Sequence, residues 1–375
     1  MRIARSRLES HGFESVAKIF DSIHNADKPG ASFAAVVDGI QVVDIWGGSK
    51  SDSSPWIDDT LCVIASGTKG ICAVAVMMCV ERGLINLDSS IETLWPEFAE
   101  GGKGHVLIGD ALAHNAGVPG LEREISLADL SDPIFMASLV AKQHPFVAVG
   151  FPSYHAMTFG WIAGELVRRT DGRSIGKFVR EEIARPLKLD LYIGAPDDAV
   201  ARIAQTTRSD DYSYSAFLPG SKPDIRLGYV YGMIPAERGT ADFAKIELPG
   251  GGGVASAFAM SRLYAMLANG GELDGVRLLK SETIELACRQ RSEGNDPLGG
   301  RFLRFGVGFE LNPNPSCLGK PADAFGHTGA GGSTHGAWPS LRTSFSYAMG
   351  EFRSENNDGR AERLLDALHS CVVSS

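Results

Sequence analysis

The sequence predicts an α+β fold in which strands from both ends of the chain form one antiparallel sheet flanked by helices, with a mainly helical portion inserted between them. Two strand-like runs lie within residues 32–48 and are joined by Asp38-Gly39, a strong hairpin signal. From about residue 60 to 190 the pattern is mainly helical. Strand-like alternation returns in residues 304–312 and 342–352.

The helices expected from this pattern extend along the whole chain. They are expected at residues 11–24, 67–82, 106–114, 133–142, 158–170, 174–185 and 255–270, with a closing helix over 359–373. We therefore expect a discontinuous sheet domain of residues 1–80 and 230–375 and a mainly helical domain of residues 81–229. The binding cleft would lie between the two domains.

Composition limits the classes of function. The chain has 375 residues, 44% of them hydrophobic, and a formal net charge of −9. This length allows a substantial core, and the excess of carboxylates offers no basic stripe for phosphates, so no nucleic-acid partner is expected. The sequence contains neither a signal-peptide pattern nor the ~20 apolar residues of a membrane span. We expect a cytoplasmic globular protein with no membrane span.

Cofactor and metal motifs are weak or absent. Six dispersed cysteines form no Cys-x-x-Cys pair, which favours reduced thiols, and no His/Cys cluster has zinc spacing. The run Gly250–Ala255 fits a dinucleotide pattern and precedes a helix, but Pro249 interrupts the strand that such a motif requires. The sequence therefore implies neither a metal nor a cofactor.

Ser66 and Lys69 point most directly to chemistry. They lie three residues apart at the start of an apolar helical run, so both side chains share one helical face. A serine hydroxyl becomes a good nucleophile when a base takes its proton, and a buried, uncharged lysine amine can do so. The N–H groups at the helix start favour a developing negative charge. The pair predicts nucleophilic catalysis.

The same spacing recurs at Ser174 and Lys177. This second copy follows a turn-forming segment, residues 170–173, and precedes a helical pattern. Serine at such a position typically caps a helix. We interpret the second copy as structural.

Two later segments supply groups for a catalytic site. Tyr154 follows a Gly/Pro turn and precedes a helix. Its hydroxyl could reach the cleft, or the ring could simply pack at the helix start with its hydroxyl hydrogen-bonded. His327-Thr328-Gly329 lies in a segment expected to be an edge strand, followed by a glycine-rich stretch. Small residues let a substrate approach backbone N–H groups, although such tracts are often plain turns.

Together these segments resemble the serine β-lactamase and penicillin-binding-protein family, especially its class C β-lactamase-like esterases, the family VIII carboxylesterases. The likeness covers Ser66-x-x-Lys69, "LAHNAGVPGL", the Tyr154 segment, "MSRLYAMLANGGELDGVRLL" and "FGHTGAGGS", in family order. The resemblance implies that Ser66 is acylated, that Lys69 assists, and that Tyr154 shuttles a proton with the lysine. His327, Thr328 and Gly329 would form the motif strand, and the N–H groups of Ser66 and Ala330 the oxyanion hole.

Two departures from the family pattern favour esters over β-lactams. The Tyr-x-Asn motif reads Tyr154-His155-Ala156, so the amide side chain is missing. The Lys-Thr-Gly lysine is His327, which carries less charge at neutral pH. We expect a small-molecule ester as substrate, and aromatic residues within 146–151 and 212–231 favour an apolar acyl or alcohol group.

Alternatives remain at this stage. The same serine could hydrolyse a β-lactam or an amide, or transfer an acyl group to an acceptor other than water. A different class is a non-catalytic scaffold that keeps the fold, although a buried lysine favours function. Of the histidines, His155 and His335 could contribute to the site, and His114 is expected at a helix end, where a histidine suits the local dipole.

Overall fold

A computed structural model describes most of the chain. It covers residues 7–24, 28–51, 54–210, 212, 241–312, 317–354 and 358–374. The expected domain boundary at 229/230 and the aromatic residues Tyr214, Phe217, Tyr229 and Tyr231 lie outside these ranges. The division into two domains therefore stays a prediction.

A nine-stranded antiparallel sheet joins the two ends of the chain. Its strands are β1 (Leu8–Glu9), β2 (Ala31–Val37), β3 (Ile40–Gly47), β4 (Ser292–Asn295), β5 (Phe302–Phe305), β6 (Glu310–Leu311), β7 (Phe325–Gly329), β8 (Ser333–Trp338) and β9 (Thr343–Met349). Their order across the sheet is β1-β3-β2-β9-β8-β7-β6-β5-β4. β2 and β9 pair over their full length, which places an N-terminal and a C-terminal strand side by side inside the sheet. The predicted α+β architecture is confirmed.

Short strands lie outside this sheet. They are Ser49–Ser51, Ser54–Pro55, Cys62–Val63, Leu191–Tyr192, Thr207–Arg208, Val254–Ala255, Glu272–Leu273, Val276–Arg277 and Glu351–Phe352. Val254–Ala255 pairs with both Cys62–Val63 and Leu191–Tyr192. This small sheet holds the chain just before Ser66 next to the glycine run at 250–253.

Each predicted helix has a counterpart in the structure, but the one predicted over residues 106–114 is only four residues long. Four further helices, Leu127–Leu130, Asp197–Val200, Ala241–Lys245 and Ser281–Cys288, were not predicted. The α-helices are α1 (Glu14–Ile23), α2 (Thr68–Glu81), α3 (Ile108–Ala111), α4 (Leu127–Leu130), α5 (Pro133–Lys142), α6 (Thr158–Asp171), α7 (Ile175–Phe178), α8 (Asp197–Val200), α9 (Ala241–Lys245), α10 (Ala257–Ala268), α11 (Ser281–Cys288) and α12 (Arg360–Ser374). Short 3₁₀ segments cover Ala65–Gly67, Ile91–Thr93, Pro96–Gly102 and Pro339–Leu341, and a π-helical turn covers Val179–Ala184.

The two faces of the sheet pack against different hydrophobic cores. Alternate residues of a strand point to opposite faces, and in β2 the residues Phe33 and Ala35 pack with α1 and α12. Ala34 and Val36 belong instead to the larger core around α2, α6 and α10. Because both faces are covered, β2 is buried almost throughout, which explains its continuous apolar sequence.

Two strand predictions are corrected. β7 lies between β6 and β8 inside the sheet, so the expectation of an edge strand at residues 327–329 is wrong. Residues 304–312 are not one strand, since a turn at 306–309 separates β5 from β6. Gly308 adopts a φ of +71° in that turn, a conformation that favours glycine.

Helix α2 is buried on all sides. Every residue from Thr68 to Cys79 is buried, which matches the apolar composition of the helix after Lys69. Across the part of the chain that the structure describes, no helix is both long enough and apolar enough to cross a bilayer.

Candidate active site

Ser66 lies at the one solvent-accessible position of a buried segment. Residues 61–79 are all described, and within them only Ser66 is partly exposed. It occupies the 3₁₀ turn Ala65–Gly67, immediately before α2. Ala65 has a φ of +45°, a costly conformation for a residue with a side chain, so the surrounding contacts must hold this turn in place. Such strain is frequent at functional sites.

Lys69 is fully buried beside Ser66. Its Nζ lies 3.0 Å from Ser66 Oγ, and it donates hydrogen bonds to the carbonyl oxygens of Ala156 at 2.7 Å and Gly250 at 2.6 Å. A carbonyl oxygen can only accept. An uncharged amine that donates both of its protons to these carbonyls therefore has its lone pair left for the serine hydroxyl, as a general base requires.

Tyr154 lies over the same amine. The centre of its ring is 5.0 Å from Lys69 Nζ and 6.2 Å from the His327 ring. The tyrosine is half-buried, while the residues on either side of it are buried. The structure thus brings Tyr154 next to the Ser66 and Lys69 pair.

His155 and His114 hold the Tyr154 segment in place. His155 Nε2 accepts a hydrogen bond from Val118 N at 3.1 Å, and its Nδ1 lies 2.5 Å from Ser153 O, which makes Nδ1 the protonated nitrogen. His114 Nδ1 accepts from the His155 backbone N–H at 3.0 Å. Both rings are therefore engaged in structural hydrogen bonds within the protein.

The expectation for His114 is wrong. Helix α3 ends at Ala111, and His114 is fully buried with its ring 4.8 Å from that of Tyr154. Burial lowers the pKa of His114 well below its usual value. An uncharged ring has no favourable charge interaction with a helix dipole, so His114 acts as packing for Tyr154.

The β7–β8 hairpin packs directly on the Ser66 turn. Ser333 Oγ donates to Ile64 O at 3.2 Å, and a Cβ on Gly329 would lie 2.5 Å from that same oxygen. On the other side, Gly67 leaves room for the His335 ring, which a Cβ at Gly67 would meet at 2.5 Å. Residues 329 and 330 are therefore held beside the turn that carries Ser66. Ala330 is half-buried, as Ser66 is.

His327 and His335 are buried and uncharged at neutral pH. Burial lowers the pKa of each ring to about 3. His335 Nδ1 lies 2.8 Å from Ser346 Oγ, on the neighbouring strand β9. His327 Nδ1 lies 2.6 Å from Thr328 O. His327 therefore does not supply the positive charge that a lysine would carry at this position.

The sequence reasoning missed five contributors. Ala156 and Gly250 hold the Lys69 amine through backbone oxygens. The sequence signal for Gly250 is the run of four glycines at 250–253, which indicates close backbone packing as well as a nucleotide motif; the structure shows that packing against α6. Asp296, Arg301 and Glu310 join Tyr154 to Thr328 through long-range contacts, which carry no local signal.

Comparison with known proteins places this site in a family. The chain matches the Beta-lactamase family over residues 16–369. It is 33% identical over 350 residues to Esterase/beta-lactamase LipL of Mycobacterium tuberculosis, covering 90% of this chain and 80% of LipL.

Two solved structures share the whole fold. A penicillin-binding protein homologue from Caulobacter crescentus superimposes with a TM-score of 0.90 at 32% identity, covering 99% of this chain and 100% of that one. A family VIII carboxylesterase superimposes with a TM-score of 0.88 at 32% identity, with the same coverage. The chain belongs to the beta-lactamase family. It is a serine hydrolase with the β-lactamase-like α+β fold. The alternative of a non-catalytic scaffold with this fold is therefore set aside.

Proposed function

We propose that this chain is a carboxylesterase that hydrolyses small-molecule esters through an acyl-enzyme on Ser66. The observation that carries the proposal is the Lys69 amine, buried and 3.0 Å from the only accessible side chain of residues 61–79. Its two carbonyl partners orient it toward Ser66 Oγ. Desolvation favours an uncharged amine, the form that can take a proton.

The proposed reaction has two steps. Lys69 takes the proton of Ser66, and Ser66 Oγ attacks the ester carbonyl to form a tetrahedral intermediate. The N–H groups of Ser66 and Ala330 stabilise its oxyanion, a contribution of about 10²-fold or more per donor. The C–O bond to the alcohol then breaks as Tyr154 gives its proton to the leaving oxygen, and water releases the acid by the reverse relay.

Two features favour esters over β-lactams. Ala156 has no side-chain amide, and both His155 nitrogens make hydrogen bonds within the protein. His327 is buried and uncharged, so it offers little attraction to a substrate carboxylate. The name of one solved structure, a family VIII carboxylesterase, supports the same choice, whereas the name of LipL includes both activities.

A direct comparison of substrates tests the proposal. We expect kcat/KM for p-nitrophenyl butyrate to exceed that for nitrocefin by at least about 100-fold, and Ser66→Ala to lower the ester value by at least about 10³-fold. Ser174→Ala, in the structural copy of the motif, is the matched control and should retain the activity. Faster turnover of nitrocefin would make β-lactam hydrolysis the function instead. A primary alcohol added as acceptor would reveal acyl transfer as a new ester product.

A further inference from the structure

Arg301 brings a positive charge to Tyr154. Its guanidinium carbon lies 5.8 Å from the centre of the Tyr154 ring, and its side chain is 30% exposed. Arg301 directly precedes β5, at the end of a loop whose Asp296 N–H donates to Arg301 O at 2.8 Å. Arg301 thus approaches Tyr154 from a part of the chain far from α2.

Glu310 anchors Arg301 and connects it to Thr328. Glu310 Oε1 accepts from Arg301 Nη2 at 2.5 Å. Its Oε2 accepts from the Thr328 backbone N–H at 3.2 Å and the Thr328 hydroxyl at 2.9 Å. Burial raises the pKa of Glu310, but the Arg301 charge and the other interactions outweigh it, so the pKa lies below its usual value. Glu310 therefore stays a carboxylate and keeps Arg301 in place.

The same loop also holds the backbone of Tyr154. Asp296 Oδ2 accepts from the Tyr154 N–H at 3.0 Å, and Ser153 Oγ lies 3.4 Å from Asp296 Oδ1. Asp296 is buried. One loop, residues 296–301, thus fixes both the backbone and the charge environment of the tyrosine.

The histidines around Tyr154 do not contribute charge at neutral pH. The rings of His114 and His327 lie 4.8 and 6.2 Å from the Tyr154 ring, and burial lowers the pKa of His327 to about 3 and that of His114 well below normal. Burial lowers the pKa of His155 to about 4. Among the described residues, Lys69 and Arg301 have their nitrogen-bearing groups over the Tyr154 ring. Lys69 is uncharged until it takes the proton of Ser66, so Arg301 supplies the permanent positive charge.

We propose that Arg301, held by Glu310, is a positioning residue that stabilises the phenolate of Tyr154. The proposal rests on the proposed function. When the ester C–O bond breaks, the Tyr154 O–H proton passes to the leaving alkoxide and the phenol becomes a phenolate. The Arg301 charge favours that anion until it recovers a proton from the Lys69 ammonium, which received it from Ser66. In total, one proton moves from Ser66 to the alcohol that leaves.

Leaving groups of different acidity test this role. Ethanol leaves an ester only with a proton, whereas p-nitrophenol is acidic enough to leave as its anion. We expect Arg301→Gln to lower kcat/KM at least about tenfold for ethyl butyrate but less than about threefold for p-nitrophenyl butyrate. Arg301→Lys, which keeps the charge, should recover most of the ethyl ester activity.

Controls separate charge from structure. Arg304 lies on β5 and donates a hydrogen bond to Gln290 at 2.8 Å, so Arg304→Gln should leave kcat/KM unchanged for both esters. If Arg301→Gln does not fold because Glu310 is left unpaired, the double variant Arg301→Gln/Glu310→Gln is compared with Glu310→Gln alone and should show the same leaving-group effect. Equal losses for both esters, or no loss, would overturn the role of Arg301. Activity that survives Ser66→Ala would instead overturn the proposed function.

Discussion

At the scale of single residues, the site depends on how Lys69 is held. Its partner Gly250 O belongs to a segment that packs against α6 so closely that Gly160 has no room for a side chain: a Cβ there would overlap the backbone of Pro249 and Gly250. The position of the Lys69 amine is therefore linked to the absence of a Cβ at Gly160 on a neighbouring helix.

Gly160→Ala should disturb the site indirectly, through the segment that holds the Lys69 amine. The new methyl group forces residues 249–250 away, which moves an acceptor of Lys69, and overpacking of this kind costs about 1–3 kcal/mol. We expect kcat/KM for ethyl butyrate to fall at least about tenfold, together with a lower free energy of unfolding measured in urea.

Gly164→Ala, one turn further along α6, is the control. A Cβ there would meet Ile175 at 3.5 Å and Pro249 at 3.7 Å, both ordinary contacts. Alanine is the better helix former by about 0.8–1 kcal/mol, so this variant should keep its activity and gain stability. Full activity in Gly160→Ala would show that the function of Lys69 does not depend on the position of residues 249–250, and would contradict this account.

Local and distant residues of the site differed in how well they could be predicted. Ser66 and Lys69 lie within one helical turn, so the spacing alone predicted their contact. Arg301 and Tyr154 are separated in the sequence by helices α6 to α11 and strand β4, and their approach depends on the sheet order. A pattern within a short window carries no information about such a pair.

At the scale of elements, clear periodicity and capping gave the best predictions. α5 spans Pro133–Lys142 as predicted, because Asp132 caps it and Pro133 opens it. Ser174 is the N-cap of α7 and accepts from the Lys177 N–H at 3.3 Å, which confirms the structural interpretation of the second motif. The place of β7 inside the sheet was mispredicted, because strand order follows from tertiary contacts.

At the scale of the whole molecule, buried histidines make the stability of the fold depend on pH. Burial lowers the pKa of His24 and His155 to about 4 and that of His327 and His335 to about 3. In the unfolded chain these rings bind protons near pH 6.5. Between those values the unfolded state binds more protons than the folded state, so stability falls as the pH falls.

Acid should therefore destabilise the protein well above the pH at which carboxylates titrate. We expect the free energy of unfolding to be fully present above about pH 6.5 and to drop by about 2 kcal/mol per buried histidine by about pH 5. Urea unfolding at several pH values measures this. His11→Gln, which changes a fully exposed histidine, should leave the slope unchanged. A free energy that is constant across this range would show that the buried rings do not control acid stability.

The acylated residue itself gives the most direct test that Ser66 is the nucleophile. Enzyme mixed with a p-nitrophenyl ester is quenched in acid during turnover, and the acyl group is located by peptide mass spectrometry. We predict one acyl group on the peptide that carries Ser66 in the wild type and in Ser174→Ala, which loses the helix cap, worth about 1 kcal/mol, and a hydrogen bond to Glu247. Ser66→Ala should show none. An acyl group retained in Ser66→Ala, or found on another residue of the wild type, would contradict the account.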